Sequence, residues 1–98
     1  MISVSFAEEV YDDLNEITQW YAEQRNGLQV EFLISFEDSI VKIQINPRGY
    51  QLRVGKARYS LMHRFPYKII YKVYDYEIKI YGVFHVRRNP NLIRKRLK

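Results

Sequence analysis

Tyr67-Lys68-Ile69-Ile70-Tyr71-Lys72-Val73-Tyr74-Asp75-Tyr76-Glu77-Ile78-Lys79-Ile80-Tyr81-Gly82-Val83-Phe84-His85 is the stretch whose reading decides the fold. Ile69, Tyr71 and Val73 alternate with Lys68, Ile70, Lys72 and Tyr74, the two-residue period of a strand with one apolar and one mixed face. Asp75-Tyr76 is a reversal, and Glu77 to about Arg87 is the returning strand. Ile78 and Ile80 share one face of that strand, but Val83 and His85 fall on the other. A bulge at Gly82 restores all four to a single face. Upstream, Ala57 to Met62 reads as another strand, joined through the reversal His63-Arg64-Phe65-Pro66, so the second half of the chain is an antiparallel meander.

The first half has a different period. Ile2, Val4 and Phe6 alternate with Ser3 and Ser5 as a short strand. Ser5-Phe6-Ala7-Glu8 has the spacing of a capping box, with Ser5 and Glu8 as the reciprocal pair. Ala7, Val10, Leu14, Ile17 and Tyr21 then recur at three- and four-residue intervals, the stripe of an amphipathic helix. Its early turns carry Glu8, Glu9, Asp12 and Asp13, where the helix dipole favours negative charge, and Asn26-Gly27 ends it. A second helix is predicted from about Leu28 to Ile45, with a main stripe of Leu28, Phe32, Leu33, Phe36, Ile40 and Ile43. A further apolar set, Val30, Ile34, Val41 and Ile45, falls on an adjoining face. A helix apolar around so much of its girth packs on two surfaces, either wholly within the fold or partly against another molecule. Asn46-Pro47-Arg48-Gly49 stops it by turn chemistry. The order β-α-α-β-β-β predicts an α+β domain spanning 1–98, with a helical hairpin packed on one face of an antiparallel sheet.

Composition narrows function further. The 98 residues contain no cysteine and two histidines, His63 and His85. This excludes disulfides and a thiolate nucleophile, makes a metal site improbable, and implies no cofactor. Nothing near Met1 reads as a secretory leader and no apolar run approaches bilayer length, so a cytoplasmic protein without a membrane partner is expected. The net charge of +5 is unevenly distributed. Nine of the eleven acidic residues lie in 1–45, whereas fourteen of the sixteen Lys and Arg lie from Asn46 onward. That asymmetry points to an anionic partner for the second half, or to a plain solvated surface.

Several stretches resemble one family when taken in this order. Trp20-Tyr21-Ala22-Glu23-Gln24-Arg25-Asn26-Gly27-Leu28 resembles the joint between the helices of ParE-type toxins. Ile45-Asn46-Pro47 followed by Tyr50 resembles the exit from their second helix. Arg58, then Phe65-Pro66-Tyr67-Lys68-Ile69-Ile70-Tyr71-Lys72-Val73, resembles their central hairpin. Val83-Phe84-His85-Val86-Arg87-Arg88-Asn89-Pro90 resembles their closing signature. The resemblance runs from about residue 6 to 96 and points to the ParE/RelE toxin superfamily of bacterial plasmid-stabilisation systems, nearer its ParE-like members. It implies the toxin of a type II toxin–antitoxin pair, inhibiting a macromolecular target such as DNA gyrase and neutralised by a cognate antitoxin. RelE-like members instead cleave messenger RNA on the ribosome, and a remnant that only binds antitoxin is a third reading. Self-association stays open.

The residues bear on that choice. Metal-free RNA cleavage needs a group to deprotonate the ribose 2′-hydroxyl, cations for the phosphorane and an acid for the leaving oxygen. Lys68, His85, Arg87 and Arg88 are the candidates, each with a purely structural alternative. The resemblance implies a RelE-like catalytic tyrosine near the C-terminus, but Leu92 and Ile93 occupy that region, which leans the reading away from an enzyme. For target binding the candidates are Arg58, Arg64, Arg87, Arg88, Arg94 and Arg96, the last two on a tail with no acid nearby in sequence. Tyr50, Tyr59, Tyr74 and Tyr81 are candidates for stacking on bases or for packing. Val30, Ile34 and Val41 are the expected antitoxin contacts.

Overall fold

The computed structural model describes residues 1–98. Its elements are β1 (Ser3–Phe6), α1 (Glu8–Gln24), α2 (Leu28–Ile45), β2 (Leu52–Val54), β3 (Ala57–Leu61), β4 (Tyr67–Val73), β5 (Glu77–His85) and α3 (Pro90–Arg96). The strands form one sheet in the order β1-β5-β4-β3-β2. Three helices pack on this five-stranded mixed sheet, an α+β fold.

The hairpin of β4 and β5 has the predicted parity. Ile70 pairs with Gly82 and Tyr71 with Ile80, so Tyr81 is the extra residue of a bulge. The bulge returns Val83 to the face of Ile78 and Ile80, and all three enter the main core with Ile69 and Tyr71. Val10, Ile17 and Tyr21 of α1 and Phe32, Phe36, Ile40 and Ile43 of α2 close that core from above. Tyr21 and Phe32 stack with centroids 5.6 Å apart, and Phe65 meets both edge-on. The Tyr71 hydroxyl donates to the Pro47 carbonyl at 2.7 Å, which fixes the segment leaving α2. Burial pushes the Tyr71 phenol up to about 12.

Four expectations change. The sheet is not wholly antiparallel, because β1 runs parallel to β5, with Ser3 opposite Glu77 and Phe6 opposite Ile80. Alternation specifies which face a side chain takes, not which way the strand runs. The Ser5–Glu8 capping box does not form: Ala7 is the N-cap of α1 without a side-chain cap, and the Ser5 hydroxyl instead bonds the Glu77 carboxylate on the neighbouring strand. An additional edge strand, β2, pairs antiparallel with β3. Finally, the second face of the sheet is not bare. Ile93 of α3 is buried on it against Ala57, Ile70 and Phe84. Asn89 caps α3, its side chain accepting from the Asn91 amide at 2.9 Å, and Pro90 opens the first turn.

Two backbone positions are demanding. Gly27, at φ 93°, makes the tight joint between α1 and α2. Arg64 adopts φ 74° in the β3–β4 reversal. That turn is held to α2 by the Ser35 hydroxyl, which donates to the His63 carbonyl at 2.8 Å, and by Arg64 on Glu31 at 3.0 Å.

Gly82 is needed for its lack of a side chain. A Cβ there would collide with the Phe84 ring and stand 2.9 Å from an Arg96 guanidinium nitrogen. Gly82→Ala is therefore expected to cost about 1–3 kcal/mol, read as a lower urea midpoint at unchanged slope.

Candidate functional site

Beyond Phe6, β1 no longer covers β5. The exposed edge is closed by Asp13, reaching over from α1. One carboxylate oxygen of Asp13 accepts the Val83 amide at 3.0 Å and an Arg96 nitrogen at 2.8 Å, while the other accepts the second Arg96 nitrogen at 3.1 Å. Arg96 comes from α3, on the opposite side of the sheet. It also donates to the Tyr81 carbonyl at 3.2 Å and lies over the Phe84 ring, 4.6 Å from its centroid. The pair is largely buried, with side-chain exposures of 19% and 13%. The hydrogen bonds to Asp13 hold the Arg96 pKa above its ordinary value. The expectation of an acid-free tail thus fails at Arg96, whose partner lies eighty-three residues away in sequence. Arg96 is occupied in joining α3, β5 and α1.

Beside this clasp, a groove of about 720 Å³ runs between α1 and the end of β5, with Glu16, Trp20, Tyr67, His85 and Arg88 among its walls. The His85 ring meets Tyr67 edge-on at 5.4 Å. Its Nδ1 accepts the Arg87 amide at 3.1 Å, which leaves the proton of the neutral ring on Nε2. Burial, then the nearby Glu16 charge, raises the Tyr67 pKa.

The proposed nuclease residues divide across the sheet. His85 pairs with Tyr67 on the helix-covered face, whereas Lys68 pairs with Phe84 and Leu61 on the opposite face. Lys68 is buried, with its ammonium 4.8 Å from the Tyr59 ring centroid. Burial, then the neighbouring Arg53, lowers its pKa. Arg53 and Arg94 also act on Tyr59, so these cations gather around one spot. The remaining arginines fall into two groups. Arg58 donates to the carbonyls of Arg48 and Tyr50, at 3.2 and 2.6 Å, and pins the loop after α2. Arg64 shares Glu31 with Arg25, and the hydrogen bonds from Arg25, then Arg64, hold Glu31 below the usual carboxylate range. Arg87, Arg88 and Arg94 form no ion pair. No three His, Cys, Asp or Glu side chains stand close enough to hold a metal ion, and no helix is long and apolar enough to cross a membrane.

A second surface lies on α2. Val30, Ile34, Val41 and Ile45 are exposed at 53%, 55%, 42% and 69%. Helical periodicity puts them in one narrow row about 22 Å long. Neither α1 nor the sheet covers it.

Similar solved structures include these two. A chain of the chromosomal ParDE TA system from P. aeruginosa matches with a TM-score of 0.77 at 18% identity, covering 87% of this chain and 96% of that one. The isolated E. coli RelE toxin matches with a TM-score of 0.62 at 16% identity, covering all of both chains. This is the ParE/RelE fold. No family model and no curated protein matches the sequence. The ParE/RelE fold accounts for the helical hairpin, the meander and the parallel first strand together. Asp13 and Arg53, which sequence reading did not select, are the residues the fold adds to the site description. Asp13 looked like a helix-dipole acid, and only the missing stretch of β1 shows what it does.

Removing that carboxylate leaves the Val83 amide and the Arg96 guanidinium without their partner. Asp13→Ala is expected to lose about 2–3 kcal/mol. Amide exchange should accelerate first in α3 and at Val83.

Proposed function

We propose that this chain is the toxin of a type II toxin–antitoxin pair, ParE-like in action: it inhibits a macromolecular target such as DNA gyrase and is neutralised by a cognate antitoxin. The observation that carries the reading is the uncovered apolar row on α2, on a fold shared with the RelE toxin and a ParDE chain. An isolated soluble domain gains nothing from such a row, whereas an amphipathic segment that folds on binding would bury it. Arg87, Arg88 and Arg94 give an acidic partner a positive field to approach. Arg96 is left out of that set because it fastens α3.

Two functions lie within reach of the fold, and one observation favours the second. An RNA-cleaving RelE-like activity would be built around Lys68, whose lowered pKa and neighbouring Arg53 and Arg94 suit proton transfer beside a phosphate. His85, on the other face, would have no part in it. The non-enzymatic reading stands first because Lys68 brings no histidine or acidic partner with it.

Inducing the chain in bacteria separates these. The proposal expects growth arrest with stalled replication, intact transcripts, and rescue by the antitoxin co-expressed from a neighbouring reading frame. Lys68→Met should leave the arrest in place. Arrest with cut transcripts, abolished at least tenfold by Lys68→Met and untouched by His85→Ala, would replace the gyrase-type reading with the nuclease. No arrest, with the antitoxin still bound, would identify an inactive remnant.

A further inference from the structure

The groove between α1 and the end of β5 reverses the sign of the molecule. The chain as a whole carries a net charge of +5. In the walls of the groove, however, four carboxylates face two guanidinium groups, a local excess of two negative charges. Asp13 and Arg96 are paired with each other, which leaves Asp12, Glu16 and Glu23 against Arg88 alone. None of these four forms an ion pair, and all four are exposed. Asp12, Glu16, Trp20 and Glu23 follow along α1 at intervals of four, four and three residues, so they share one helical face. Trp20 stands in that row with 53% of its surface open, and Tyr21 meets it edge-on at 5.1 Å. Five cations of this chain lie over aromatic rings, yet none lies over Trp20, the ring type that attracts cations best. An exposed indole among unpaired carboxylates serves neither the core, the clasp nor the α2 row.

We infer that this groove binds a linear aliphatic polyamine, with ammonium groups on Glu16 and Glu23 and the methylene chain between them lying across Trp20. Glu16 and Glu23 are two helical turns apart, about 10 Å along the axis. An extended chain that carries ammonium groups at intervals of a few methylenes spans such a distance, and Asp12 offers a further carboxylate one turn away. Each ammonium gains charge pairing, and the one nearest the indole gains cation–π attraction as well. The methylenes cover apolar ring surface as the stem of a lysine does. A metal ion fits less well, because no three His, Cys, Asp or Glu side chains come close enough to ligate one. A basic peptide also fits less well. Its backbone needs partners, and Asp13 has already taken the Val83 amide at the open edge of β5, where an added strand would pair. Arg88 is the one group of the groove that opposes such a ligand. The inference does not depend on the toxin reading.

Trp20 is the only tryptophan of the chain, so its fluorescence reports on the groove directly. Spermidine added to the purified full chain is expected to change that fluorescence saturably, with one-to-one stoichiometry by calorimetry and weaker binding as salt rises. The Glu16→Gln/Glu23→Gln double variant should bind about tenfold more weakly, the loss of two exposed charge pairs, at an unchanged melting temperature. Trp20→Leu should bind more weakly by calorimetry. Arg88→Gln should bind severalfold more tightly, because it removes the competing cation, an effect that a merely structural role for Arg88 would not produce. No binding by the wild-type chain, or equal binding by the double variant, would overturn the inference. So would magnesium at matched ionic strength producing the same fluorescence change, which would mark a general counterion effect. A dilysine peptide binding more tightly than spermidine would overturn the assignment to a polyamine.

Discussion

Where β1 stops at Phe6, β5 continues for five more residues with one edge uncovered, and the Asp13 carboxylate fills the gap. An unpaired amide at a buried strand edge is costly, and a buried guanidinium more so. One carboxylate satisfies both. It ties the helical hairpin above the sheet to α3 below it, through Arg96. Gly82 leaves room for the guanidinium, and the bulge that begins at Tyr81 turns Val83 toward the core. The two faces of this molecule are therefore coupled at one ion pair, and each is left with its own free surface. Above is the apolar row of α2. Below is a face of lysines and tyrosines without carboxylate partners.

This division explains why the charge asymmetry in the sequence was informative and also misleading. The acids of the first half do cluster on α1, and most cations of the second half do stay unpaired. Three of the six arginines expected to bind a target are nevertheless committed to the fold: Arg58 on two carbonyls, Arg64 on Glu31, and Arg96 on Asp13. Charge counted along a chain cannot separate these from Arg87, Arg88 and Arg94, because their partners are brought close only by tertiary packing.

Periodicity made other parts legible. The span of α2, the three strands of the meander and the bulge near Gly82 all follow from which positions are apolar. The direction of β1 does not, since parallel and antiparallel strands alternate alike. The Ser5–Glu8 pair had capping spacing, but strand pairing placed Ser5 beside Glu77, and a tertiary partner displaced the local one. Sequence also could not show that two of the four candidate nuclease residues, Lys68 and His85, stand on opposite faces of the sheet. Lys68 pairs with Phe84, the residue before His85, so strand alternation turns the two side chains to opposite faces, and that register depends on the bulge. Val30, Ile34 and Val41 stood out because the second helix had more apolar surface than one interface needs, and they are indeed open to solvent.

The account rests on the α2 row being the surface an antitoxin covers. Methyl NMR of the chain labelled at isoleucine and valine, titrated with the proposed cognate antitoxin, reads this out residue by residue. The methyl signals of Val30, Ile34, Val41 and Ile45 should move and lose their solvent exposure at one equivalent, with those of Ile69, Ile78 and Ile80 little changed. A tight complex that leaves the α2 methyl signals in place and shifts only Ile93 and Val86 would contradict it.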